Sequence, residues 1–264
     1  MQQNAALQCA VAQLTRYYGP NTIMRLSEVQ SQAEKVIPTG ISQLDEALGI
    51  GGIPKGRVIE IYGQEGAGKT ALALQIARQI QRRKAPALYI DAEHALSPAI
   101  LKGNGIRRGG LYFLDVDTLE DALLACVYAA PAFGVIIMDT LTAMPTRESS
   151  RLSIGEYEND PHAKVMARAL PKLLTPLSQS GCTLIILNQM RENPAVLFGN
   201  KERVPGGRAL KHYAAMRLEV RHLQVLRSQW EVIGQAIRVK VVKNKCAAPF
   251  REAEIKIIYG KGLE

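Results

Sequence analysis

The stretch Gly63-Gln64-Glu65-Gly66-Ala67-Gly68-Lys69-Thr70 constrains this chain more than any other. It lies between an apolar, β-branched run ending at Tyr62 and an amphipathic stretch beginning near Lys69. The pattern is G-x-x-x-x-G-K-[ST]. Its glycines let backbone N–H groups turn inward around phosphates, and the helix that follows adds partial positive charge at its N-terminus. Such a loop needs a strand running directly into a helix, which commits the chain to an α/β fold. Lys69 is placed to neutralise β- and γ-phosphates and Thr70 to hold Mg²⁺ through its hydroxyl. Gly63, Gln64, Glu65, Gly66, Ala67, Gly68 and Ala71 complete the predicted nucleotide contact.

The rest of the pattern agrees with that commitment. Apolar runs at 57–62, 87–91, 111–115, 135–139 and 183–188 alternate with helical periodicity at 69–81, 119–129 and 163–180. Near-continuous apolar strands separated by helices predict a mostly parallel, twisted sheet covered on both faces. Pro171 and Pro176 are expected to kink or split the last helix, since each removes a backbone donor. Runs at 216–221, 236–242 and 254–259 follow without a long helix between them and read as an antiparallel extension on the sheet edge. Leu7, Ala10, Val11, Leu14 and Tyr18 mark an N-terminal helix ended by Gly19-Pro20. The expected division is 1–35, an N-terminal helix and linker for oligomerisation, and 36–264, the core.

Three further strand ends carry chemistry. Val135-Ile136-Ile137-Met138-Asp139 supplies the second carboxylate expected near the metal, so Thr70 and Asp139 form the predicted Mg²⁺ pair. Asp91-Ala92-Glu93-His94 follows another strand. Glu93 is the natural general base for an attacking water, with Asp91 and His94 as competitors. Asn188-Gln189 closes a third strand, where Gln189 can sense a γ-phosphate and pass that state into the loop after it. That loop, 190–205, carries Arg191, Lys201 and Arg203 around an apolar run ending in Phe198, a composition suited to contacting nucleic acid.

The 33 lysines and arginines exceed the 24 acidic residues, a net charge of +9 that suits a polyanionic partner as readily as a bound nucleotide alone. No apolar run approaches the roughly 18 residues a membrane helix needs, and the N-terminus lacks a secretory pattern, so a cytoplasmic location without membrane contact is expected. Cys9, Cys126, Cys182 and Cys246 form no metal-binding pair; Cys126 and Cys182 read as small core residues.

Taken together, these motifs resemble the bacterial RecA recombinase family. The resemblance is carried by Pro38-Thr39-Gly40 through Leu48-Gly49, by Ile59-Glu60-Ile61-Tyr62 into the phosphate loop, and by Asp91-Ala92-Glu93-His94-Ala95-Leu96. It continues through Leu187-Asn188-Gln189-Met190-Arg191, Phe198-Gly199-Asn200, Gly206-Gly207-Arg208-Ala209-Leu210-Lys211, Val241-Val242-Lys243-Asn244-Lys245, Ala247-Ala248-Pro249-Phe250 and Tyr259-Gly260-Lys261-Gly262. It implies a P-loop NTPase core of RecA type acting as a DNA-dependent ATPase. ATP and Mg²⁺ would be held between protomers of a helical filament on single-stranded DNA, with duplex DNA and other recombination or repair proteins as further partners. By the same resemblance the catalytic set is Lys69, Glu93, Gln189, Lys243 and Lys245. The two lysines would reach a neighbour's γ-phosphate, and Tyr259 would contact the nucleotide. DNA contacts would come from Arg191, Phe198, Lys201, Arg203, Gly206, Gly207 and Arg208, and segment 149–162 would be the first DNA loop.

The chain also departs from the family pattern. It stops at Glu264, where RecA proteins continue into a small C-terminal domain. Ile100 stands where the family stacks a tyrosine on adenine, and the first DNA loop is acidic, with Glu156, Glu158 and Asp160. With Lys69, Thr70, Glu93, Asp139, Gln189, Lys243 and Lys245 all present, the resemblance still implies a function in homologous recombination and DNA repair. An ATP-switched accessory paralogue, regulating a recombinase or a translesion polymerase, is the second reading, and a ring-forming ATPase of related fold the third.

Overall fold

The computed structural model describes residues 2–20, 23, 25, 36–153, 160–192 and 202–264. They divide into two compact units, Met1–Lys35 and Val36–Glu264. In the first, α1 (Gln2–Tyr18) is a single helix carrying Leu7, Val11, Leu14 and Tyr18.

The second unit opens with β1 (Val36–Ile37), α2 (Ser42–Leu48) and β2 (Ile53–Pro54), with β1 and β2 paired antiparallel. An alternating series follows: β3 (Val58–Gly63), α3 (Lys69–Arg82), β4 (Ala87–Asp91), α4 (Pro98–Gly103), β5 (Leu111–Leu114), α5 (Leu119–Ala129), β6 (Val135–Asp139), α6 (Pro161–Ser180) and β7 (Thr183–Gln189). A small antiparallel pair, β8 (Arg191–Glu192) and β9 (Glu202–Arg203), precedes α7 (Gly207–Tyr213). The chain ends in β10 (Met216–Ser228), β11 (Glu231–Asn244), β12 (Glu252–Ile258) and β13 (Gly262–Leu263).

Nine strands form one sheet in the order β13-β12-β11-β10-β3-β7-β6-β4-β5. Strands β10, β3, β7, β6, β4 and β5 run parallel, and β11 to β13 extend the sheet antiparallel. Because side chains alternate across a strand, each inner strand feeds two cores. Ile59, Ile61, Val135 and Ile137 pack with α3 on one face. Val58, Ile136 and Met138 pack with α5 and α6 on the other, where Cys126 and Cys182 are fully buried. Burial pushes both thiols up to about 12, which keeps them unreactive core residues.

The expected antiparallel extension is present, with β10 to β13 pairing antiparallel in turn. Its first strand also lies parallel to β3, and its first two strands form a hairpin of 13 and 14 residues, longer than the apolar runs alone indicate. The distal half of β10 and the first residues of β11 are largely exposed and show no burial alternation; Trp230 at the tip is 93% exposed. One expectation is corrected: α6 is not split by its prolines but runs unbroken for 20 residues. Ala167 and Lys172, whose carbonyls lose their helical donors to Pro171 and Pro176, are both exposed, so water can satisfy them. Among the described residues no helix is long and apolar enough to cross a membrane.

Candidate active site

The phosphate loop joins the C-terminal end of β3 to α3, at the centre of the sheet. Its first glycine answers to the sheet: a Cβ on Gly63 would lie 2.1 Å from the carbonyl oxygen of Val220 on β10. Gly68 caps α3 with φ +96°, the left-handed backbone that lets the loop enter the helix. A cavity of about 600 Å³ opens above this turn, lined among others by Glu65, Gly66, Gly68, Lys69, Thr70, Ala71, Glu93, Asp139, Gln189 and Tyr259. Gly63, Gln64 and Ala67 lie in the loop but do not line it.

Lys69 folds back into the loop, its Nζ donating to the carbonyls of Gly63 (3.2 Å) and Gln64 (2.8 Å). Burial holds this ammonium below the ordinary lysine range, opposed by Asp139, Glu93 and Glu65. It sits on neutral carbonyls, which a phosphate can replace.

Thr70 Oγ1 donates to Asp139 Oδ2 at 2.8 Å, and the Tyr89 hydroxyl donates to the same oxygen. The other oxygen, Asp139 Oδ1, is buried and has no hydrogen-bond partner. Burial raises the Asp139 pKa, while the hydrogen bonds from Tyr89 and Thr70 pull it back. An orphaned carboxylate oxygen beside a threonine hydroxyl and a phosphate loop fits Mg²⁺. That ion takes hard oxygens and fills most of its octahedron with phosphate and water. The described residues contain no cluster of three or more His, Cys, Asp or Glu side chains, so the protein supplies few ligands of its own.

Of the three candidates after β4, Asp91 is engaged locally, its carboxylate accepting from the backbone of Ala95 and Leu96 at 3.3 and 3.1 Å. His94 has φ +50° and does not line the cavity. Glu93 does: its Oε1 accepts from Thr140 Oγ1 at 2.8 Å and from Gln189 Nε2 at 3.0 Å. Gln189 is thus bonded to the carboxylate at the end of β7, immediately before the basic loop.

Sequence reasoning missed several contributors. Gln235, on β11, donates to the Gly66 carbonyl at 3.0 Å from 169 residues away. Tyr89 and Thr140 flank the carboxylates. Of these, Tyr89 alone carried a signal, because it is two residues before Asp91 and shares its strand face.

The predicted DNA-contacting residues fare unevenly. Phe198, Lys201 and the acidic pair Glu156 and Glu158 lie outside the described residues. Arg191 and Arg203 face each other in the register of β8 and β9, at the two ends of the loop. Arg208 is exposed in the first turn of α7. Gly206 caps that helix with φ +89°, and Gly207 packs on α6, since a Cβ there would meet Ala163 at 2.5 Å.

Beneath the loop lies a buried polar network. Glu60 is fully buried and pairs with Arg217, while Asn188 Nδ2 donates to Glu60 Oε1 at 3.1 Å and to the Pro205 carbonyl at 2.8 Å. Arg217 stacks over Tyr62 at 4.7 Å, and burial pushes that phenol up to about 12. The two ends of segment 189–205 are therefore tied to the strand that carries the phosphate loop. Neither Lys243 nor Lys245 lines the cavity of its own protomer.

Known proteins are similar to this chain over nearly its whole length. A family model described as the RecA N-terminal domain matches residues 5–264. The chain is 43% identical over 263 residues to Protein RecA of Bifidobacterium longum (strain NCC 2705), covering 99% of this chain and 66% of the relative. It is 44% identical over 262 residues to Protein RecA of Thermus thermophilus, covering 98% and 77%. The chain thus spans about two thirds to three quarters of the length of these relatives. The crystal structure of the RadB recombinase superposes with a TM-score of 0.63 at 18% identity, over 86% of this chain and 98% of that one, a likeness of fold.

Proposed function

The chain belongs to the RecA family, and from that we propose that it is a DNA-dependent ATPase acting as a recombinase in homologous recombination and repair. ATP binds with Mg²⁺ at the phosphate loop, Lys69 meets the β- and γ-phosphates, and Thr70 and Asp139 hold the metal. The metal supplies charge neutralisation of the transferring phosphoryl group. Glu93 accepts the proton of the attacking water. Lys243 and Lys245 belong to the active site of the neighbouring protomer, where they stabilise developing charge on the γ-phosphate. Tyr259, half-exposed on the cavity wall, offers a face to the base. Successive protomers joined head to tail form a filament on single-stranded DNA, with the N-terminal helix docking on the adjacent copy.

One observation carries this reading. Gln189 is hydrogen-bonded to Glu93 at the cavity and is also the last residue before the basic loop. A γ-phosphate that drew the Gln189 amide to itself would release it from the base and move the loop. Arg191, Phe198, Lys201, Arg203, Gly206, Gly207 and Arg208 then provide the DNA-contacting segment.

The test is steady-state ATP turnover with and without long single-stranded DNA, at low and moderate salt, for the natural chain and Glu93→Gln. The expected result is turnover that rises with DNA length, and a Glu93→Gln variant that binds ATP but loses turnover about 100-fold or more. Turnover indifferent to DNA, with ATP binding intact, replaces this reading with that of an ATP-switched accessory protein.

A further inference from the structure

Glu93 stands in an exposed turn, where its own backbone does little to fix the carboxylate. Yet one oxygen is doubly held: Oε1 accepts from Thr140 Oγ1 at 2.8 Å and from Gln189 Nε2 at 3.0 Å. The two donors differ in kind. Gln189 is partly exposed at the mouth of the loop, whereas Thr140 is 2% exposed and directly follows the buried Asp139. Thr140 Oγ1 also lies 3.3 Å from Thr142 Oγ1. A hydroxyl has one proton, and an ionised carboxylate only accepts. The Thr140 proton therefore goes to Glu93, and Thr142 donates to Thr140, so each hydroxyl polarises the next.

We propose that Thr140 is a positioning residue for the catalytic base: it keeps Glu93 Oε1 engaged, leaves Oε2 to take the proton of the attacking water, and does so when Gln189 turns to the γ-phosphate. This rests on the reading of Glu93 given above. The base need not be repositioned as the switch operates, because its second anchor is buried in the strand-end turn that carries Asp139. Thr140 also lines the cavity, so the competing role is direct contact with phosphate or metal, which would act on binding.

The experiment compares Thr140→Val, which keeps the side-chain shape without the hydroxyl, and Thr140→Ser, which keeps the hydroxyl. Each is made in the full chain, alone and combined with Glu93→Gln. Turnover on single-stranded DNA and titration with a fluorescent ATP analogue plus Mg²⁺ are both measured. Thr140→Val is expected to lower kcat about 10- to 100-fold, with analogue affinity within about twofold of the natural chain. Thr140→Ser should recover most of the rate, and Thr140→Val should cost nothing more once Glu93 is already Gln. A loss of analogue affinity in place of kcat overturns the proposal in favour of direct contact. A Ser variant as slow as Val, or a full additional loss in the Glu93→Gln background, overturns it in favour of a packing role. Natural turnover in Glu93→Gln itself overturns the role of Glu93 and this inference with it, whereas natural turnover in Thr140→Val alone overturns only the inference.

Discussion

Lys243 Nζ lies 2.8 Å from the carbonyl oxygen of His212, and 2.6 Å from that of Lys211, at the C-terminal end of α7. A helix C-terminus presents unsatisfied carbonyls and partial negative charge, so it is a natural resting place for an ammonium. Partial burial, Lys245 and Arg217 together hold the Lys243 pKa below its ordinary value. In the single protomer the lysine is therefore tied to the helix that follows the basic loop, and in the proposed filament a neighbour's γ-phosphate would have to draw it away. If that exchange is the catalytic one, two inactive variants should repair each other. Lys243→Ala has an intact pocket and Glu93→Gln has an intact lysine, so a fraction of mixed interfaces is complete. Equal mixing should recover about a quarter of natural turnover if protomers pair at random in a heterologous interface. A mixture no faster than the sum of its parts would show that Lys243 acts within its own protomer.

Asp139 gives a prediction in pH. Its carboxyl is raised by burial, and the sign follows: such a group adds stability that is present below its unfolded pKa and lost as pH rises through its folded one. The metal-free protein at neutral pH thus holds a buried carboxylate with an orphaned oxygen. Asp139→Asn keeps an oxygen to accept from Thr70 and Tyr89 and removes the charge. Its metal-free Tm at pH 7 should rise by about 2–4 °C for roughly 1 kcal/mol, and the difference should shrink at pH 4. Mg²⁺ should no longer tighten nucleotide binding. A Tm at pH 7 below that of the natural chain would reject the argument.

What the sequence revealed of this site is what local chain geometry determines. A strand, a glycine turn and a helix are contiguous, so the places of Lys69 and Thr70 could be read directly. Asp139 and Glu93 could be read because parallel strands bring their C-terminal ends to one edge. Gln235 could not be read, because its contact with Gly66 depends on the register of a long hairpin whose exposed tip carries no burial pattern to fix it. Glu60 was hidden for a related reason: a charge in an apolar strand becomes intelligible only when Arg217 and Asn188 are seen to enclose it. Strand β5 also reads as buried from its apolar run, yet as an edge strand it leaves Tyr112 and Phe113 half-exposed.

The prolines of α6 yield a stability prediction. Pro171 is exposed and interior to the helix, so it contributes no packing that a smaller side chain would lose while denying the Ala167 carbonyl its donor. Pro171→Ala should stabilise the chain by about 1–3 kcal/mol, seen as a Tm several degrees higher. An unchanged or lower Tm would mean that the proline's restriction of the unfolded chain outweighs the missing hydrogen bond.

Lys69 tests whether the loop is built for phosphate. Its ammonium now satisfies the carbonyls of Gly63 and Gln64; Lys69 itself lines the cavity, so removing its side chain leaves two acceptors that water entering the vacated space can serve. Lys69→Ala should therefore melt close to the natural chain, yet lose charge-assisted hydrogen bonds to the nucleotide of about 1.5–3 kcal/mol, a roughly 10- to 100-fold weaker ATP affinity. Lys69→Arg keeps the charge but replaces a compact ammonium with a planar fork, which does not present its donors where the single ammonium does. It should bind ATP more tightly than the alanine variant and still fail to hydrolyse it. Nucleotide titration and melting curves on the same samples separate the two effects. A collapse in Tm for Lys69→Ala would show that the lysine holds the loop itself in shape.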